Sequence, residues 1–234
     1  MAALPLLVIA VDGPSAAGKG TLARGLAAHF GLAFLDTGLL YRAVALRLLR
    51  AGQSSDDVAA ATAAAAAIDL ADLDDAALRG DDVAQGASKV AAIPAVRQAL
   101  LEQQRRFAAH PPPGPDGKVR GAVLDGRDIG TVVCPEATVK LFVTASLEAR
   151  AIRRHRELLA RDGESIYARV LKDMKERDTR DASRNVAPLT PAPDAVVFDT
   201  TTLNVEAMLA AAIAHVGRRR RGEAVSRLAG EPLD

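Results

Sequence analysis

The chain has 234 residues, of which 49% are hydrophobic and 25% charged, with a formal net charge of +1. That length suits one core carrying smaller insertions; the balance is that of a soluble globular chain, and no run is long and apolar enough to span a bilayer. Near-zero charge gives no global electrostatic case for nucleic acid or a membrane as the main partner, and the lone Cys134 excludes an intrachain disulfide and fits a cytoplasmic location.

The opening "MAALPLLVIAVDG" lacks the basic start of a signal peptide and runs into a glycine-rich loop, so it reads as a buried parallel strand. Leu22, Leu26 and Phe30 then recur every four residues until Gly31, which predicts a helix. Asp36 is a candidate strand end. "GAVLDG", "VKLFVTA" and "AVVFDT" repeat the short apolar pattern, two of them leading to the cap residues Ser146 and Asn204. Strands alternating with helices predict a parallel α/β core.

Two stretches of different character interrupt this core, which covers 1–36, 119–156 and 185–219. Residues 37–118 are alanine-rich and end in the breaker "HPPPGPDG"; Ile68, Leu70, Leu73 and Leu78 favour a helical insertion over a linker. Residues 157–184 are dense in charge. The tail, 220–234, follows a basic tetrad that is read as a solvated helix end, since cations stabilise a helix C-terminus. Cys134 is either a reactive thiol or a small buried hydrophobe, the latter being favoured.

Gly13-Pro14-Ser15-Ala16-Ala17-Gly18-Lys19-Gly20-Thr21 lies between a predicted strand and a predicted helix, the context a phosphate-binding loop requires. Its glycines let backbone N–H groups face a nucleoside triphosphate, and Lys19 adds a point charge for the β- and γ-phosphates. Gly20 stands where a magnesium-binding hydroxyl is usual, with Thr21 one residue later, so the protein's metal ligands are left unassigned.

A kinase acting on a phosphorylated acceptor needs a second polyanion site. "DTGLLYR" supplies Tyr41 and Arg42, "DGRDIG" supplies Arg127, and "KERDTRDASR" supplies Arg177, Arg180 and Arg184. On one helix Arg177, Arg180, Asp181 and Arg184 would share a face; a surface ladder with Asp178 and Asp181 is the alternative. Asp125 is either a turn carboxylate accepting backbone N–H groups or a group that orders magnesium-bound water.

"DGPSAAGKGT", "LDTGLLYRA", "ASKVAAIPAVRQALLEQQR", "DGRDIGTVV" and "KERDTRDASRNVAPL" together resemble the bacterial-type cytidylate kinases of the nucleoside monophosphate kinase family, from about residue 8 to 216. The resemblance implies an α/β P-loop fold of three layers, a parallel sheet flanked by helices, in which 37–118 is the monophosphate-binding insertion and 157–184 a lid. It implies transfer of the ATP γ-phosphoryl group to CMP or dCMP, with Mg2+ accompanying ATP and a monomer acting on small-molecule substrates. It places Thr37, Tyr41 and Arg42 near the acceptor, with Arg42 and Arg127 on its phosphate. Ser88, Arg97 and Asp128 fall at the base, and Arg177, Asp181 and Arg184 at the sugar, base and closing lid. Lys19, Arg127 and Arg177 are the implied catalytic cations. Thr37 stands where serine is frequent, and the insertion is shorter than in some relatives. Outside the resemblance, the bland readings are a helix cap for Thr37, packing for Tyr41, and solvated helix positions for Ser88 and Arg97. Rival functions are a kinase for UMP, AMP or shikimate, a regulatory ATPase, and nucleic-acid binding by the basic tail.

Overall fold

The computed structural model describes residues 5–114, 116–184 and 186–223. Met1–Leu4 of the opening run, Pro115 of the breaker, Asn185 of the basic motif and the tail from residue 224 lie outside the described residues. Five strands, β1 (Leu7–Asp12), β2 (Ala33–Asp36), β3 (Gly121–Gly126), β4 (Val139–Thr144) and β5 (Val196–Asp199), form one parallel sheet in the order β2-β3-β1-β4-β5.

The central strands are buried on both faces, which is why they read as unbroken apolar runs. Ile9 and Val11 turn to a layer made with Leu22, Leu26, Met208 and Val216 of α1 (Lys19–Phe30) and α8 (Val205–Arg220). Ala10 and Leu124 turn to the opposite layer, where Phe107 and Ala108 of α5 (Pro94–Ala109) close the core. Gly31 ends α1 in the left-handed conformation, and Ser146 and Asn204 cap the next helices by accepting the backbone N–H groups of Ala149 and Ala207.

The alanine-rich stretch is helical only in part. It contains α2 (Thr37–Arg50), α3 (Val58–Ala66) and α4 (Asp81–Val90), then α5. Leu70, Leu73 and Leu78 instead fall in two short 3₁₀ turns, because Asp69 and Asp75 restart the chain by accepting the N–H groups of Ala71 and Ala77. The charged stretch begins within α6 (Leu147–Asp162) and continues through α7 (Tyr167–Ala182), and Ala151, Val170 and Met174 pack the pair together.

One departure concerns the arginine face. α7 ends at Ala182, so Arg184 lies past the helix rather than on its face; no glycine marks the stop, which leaves the sequence silent about it.

Candidate active site

Every strand delivers its C-terminal end to one edge of the sheet, the edge at which open α/β sheets bind ligands. β1 runs into the glycine loop, β2 into α2 and β3 into a π-helical turn at Ile129–Val133. An added Cβ at Gly13 would lie 1.9 Å from the Val143 carbonyl oxygen, so only glycine allows the loop to leave the sheet there. Ala16 takes a positive φ of 59°, and Gly18, also left-handed, precedes the first turn of α1.

Lys19 is buried, with Nζ 3.2 Å from the Pro14 carbonyl oxygen and 3.6 Å from the Asp125 carboxylate. Burial, reinforced by the Arg127 guanidinium, pushes its ammonium down to about 8. Asp125 belongs to β3 and is not a turn residue; burial raises its carboxyl while Lys19 opposes the rise. A Cβ at Gly20 would lie 3.2 Å from Asp125 Oδ2. The carboxylate thus stands beside the position of the missing hydroxyl, whereas Thr21 is exposed.

Beside this loop Thr37, Tyr41, Arg42, Ser88, Arg97, Arg127, Asp128, Arg177, Asp181 and Arg184 line one cavity. Each of the ten expected acceptor-side residues is therefore brought to one place. Thr37 is not the cap of α2: Asp36 is, accepting the Gly38 N–H, while the Thr37 hydroxyl donates to the Asp125 carbonyl at 2.8 Å. Ser88 and Arg97 are buried rather than solvated. Arg97 forms an ion pair with Asp128 and lies over the Tyr41 ring, 5.6 Å from its centroid. Arg42 donates to the Leu78 carbonyl at 2.8 Å.

Arg127 Nε donates to Asp181 at 3.1 Å, and Arg184 pairs with the other Asp181 oxygen. Burial alone would raise the Asp181 carboxyl, but Arg127, Arg184 and Arg177 outweigh it and the net shift is downward. Burial and Arg127 push Arg177 down to about 9, and its Nε is buried without a hydrogen-bond partner. The cavity thus holds five arginines against two carboxylates, an arrangement that repels itself unless an anion enters. The surface ladder with Asp178 and Asp181 forms only in part and is not at the surface: Arg184 pairs with the buried Asp181, whereas Asp178 pairs with Arg150 and Arg180 reaches Ser88 Oγ at 3.2 Å.

Several supporting residues had no readable signal. Arg150 ties α6 to Asp178 on α7 and reaches the Ser15 carbonyl. The buried Thr200 hydroxyl donates toward the Ala17 and Thr144 carbonyls and accepts from Arg153. Buried Asp12, whose carboxyl burial pushes up to about 7, accepts the Ile129 and Gly130 N–H groups. Their partners lie far away in sequence, so no local spacing announces them. Cys134 packs partly buried against the core beside α5, and burial pushes its thiol up to about 11, which favours the packing role.

The family model for cytidylate kinases matches residues 9–218. The chain belongs to the cytidylate kinase family. A cytidylate kinase from Paramagnetospirillum magneticum is 59% identical over 213 residues, 91% of this chain and 99% of that protein. Another from Methylocella silvestris is 58% identical over 207 residues, 88% and 92% of the two chains. Among solved structures, an uncharacterized protein from Eubacterium ventriosum shares the fold with a TM-score of 0.50 at 14% identity, covering 91% of this chain and 99% of its own. Both the glycine loop and the arginine-rich cavity fall inside the span matched to the cytidylate kinases.

Proposed function

We propose that this chain transfers the γ-phosphoryl group of ATP to CMP or dCMP, giving ADP and CDP or dCDP, as its membership of the cytidylate kinase family supports. The observation that carries the reading is the charge imbalance in the second cavity, five arginines to two carboxylates, next to the loop that bears Lys19. A water nucleophile would need no such site.

In this reading the donor phosphates sit on the backbone N–H groups of Gly13 to Thr21, with Lys19 at the β- and γ-positions. Arg42 and Arg127 hold the acceptor phosphate, and Arg177 spreads charge over the transferring group. The acceptor oxygen is already anionic, so no general base is required and positioning with charge neutralisation carries the catalysis. Among the described residues no cluster of three or more His, Cys, Asp or Glu is placed to hold a metal ion. Asp36 and Asp125, hard carboxylates near Lys19, fit Mg2+ held mainly by the triphosphate, with the protein reaching it through water. When bound, the ion supplies neutralising charge at the phosphate oxygens.

At the base end, Asp128 accepts from the cytosine amino group while Ser88 and Arg97 donate to its ring acceptors. Uracil would set an oxygen against the carboxylate, at a cost of about 1 to 3 kcal/mol. Residues 157–184, the end of α6 together with α7, are read as the lid and 37–118 as the monophosphate-binding insertion; Arg180 of this lid already reaches Ser88 Oγ of α4 at 3.2 Å. Phosphorus NMR of the protein with MgATP and CMP is expected to yield the paired signals of CDP and ADP. Inorganic phosphate in place of CDP would refute the reading.

A further inference from the structure

The π-helical turn Ile129–Val133 follows directly on Arg127 and Asp128 and is held at both ends by side chains from other elements. At its start Asp12, the last residue of β1, accepts the Ile129 N–H at 2.8 Å and the Gly130 N–H at 2.7 Å. At its end Arg105 of α5 donates to the Val132 and Val133 carbonyls at 2.9 and 3.2 Å. A π-turn leaves the ordinary helical pairing, so it depends on such outside partners, and it recurs at functional sites.

Asp12 is also the residue before Gly13, where the donor loop begins, and there the backbone passes so close to the Val143 carbonyl that a side chain would not fit. One carboxylate therefore links the root of the donor loop to the root of the acceptor loop. We propose that Asp12 is a positioning residue that fixes Arg127 and Asp128 relative to Lys19, and so sets the approach of acceptor to donor. The inference rests on the assignment of the Arg127–Asp128 cavity to the acceptor. Asp12 is buried and does not line the cavity. Without its two bonds the turn can pivot on Arg105, and Arg127 leaves its place while the donor loop, built from its own backbone, stays formed.

The test is Asp12→Asn, which keeps one acceptor oxygen but aims an amide N–H₂ at the second backbone N–H. With ATP and CMP varied in turn, the KM for CMP is expected to rise about tenfold or more and kcat to fall, the KM for ATP staying near that of the unsubstituted chain. Hydrogen exchange over 127–133 should quicken in the absence of nucleotide. A general loosening would raise both KM values together, and that result, or an unchanged KM for CMP, would overturn the proposal. If Asp12→Asn does not fold, Arg105→Gln decides: a selective rise in the KM for CMP supports the clamp, and no rise overturns it. Absence of CMP turnover in the unsubstituted chain would overturn the acceptor assignment and this inference with it; failure in the variants alone overturns only the inference.

Discussion

In the proposed reading Lys19 and Asp128 carry opposite tasks. Lys19 is a buried cation held below its ordinary range by burial and by Arg127, so in the free protein its charge is lost as pH rises through about 8. A bound triphosphate favours the charged form. ATP affinity measured by equilibrium dialysis should therefore be flat below that pH and weaken above it, by up to about tenfold per pH unit; affinity unchanged to pH 9.5 would count against Lys19 as the phosphate contact. Asp128 is an acceptor held in place by Arg97. Asp128→Asn presents an N–H₂ group that suits uracil, and the ratio of kcat/KM for UMP to that for CMP is expected to rise at least about tenfold, in line with one buried hydrogen bond gained or lost. An unchanged ratio would remove Asp128 from base recognition.

At the scale of elements, the glycine loop stands or falls with its exit from β1. Gly13→Ala places a methyl carbon on the Val143 carbonyl and a side chain at a φ of 144°, with an expected loss of about 2 to 5 kcal/mol in urea unfolding. A loss under about 1 kcal/mol would mean that the chain leaves the sheet differently. The elements that were legible in the sequence are those whose signal is local: buried strands, the α1 stripe ended by Gly31, and the caps Ser146 and Asn204. The two 3₁₀ turns were not, since leucines three or so apart look helical until Asp69 and Asp75 are seen capturing N–H groups. Arg184 left its predicted helix face yet pairs with Asp181, because a long side chain two residues past the end of α7 can still reach back three positions. Asp12, Arg150 and Thr200 were illegible for a different reason: each acts on a carbonyl or N–H group that only the folded chain brings near.

Across the whole molecule, the two regions proposed to hold phosphates meet at the C-terminal edge of one sheet. The loop between β1 and α1 supplies the first, and α2, α4, α5, the turn after β3 and the end of α7 supply the second. Arg154–Asp81 and Arg180–Ser88 join α6 and α7 to α4, so in the proposed reading the lid and the insertion have polar contacts in reach of each other. Net charge says little about such a protein, since the excess cation is local and balanced elsewhere. The central claim is that the second region takes a cytidine monophosphate. It is tested most directly by ADP release from MgATP with CMP, dCMP, UMP, AMP or no acceptor. Rapid release with CMP and dCMP, much slower release with UMP and AMP, and almost none without acceptor is the predicted result; equal release without acceptor, or a preference for AMP, would contradict it.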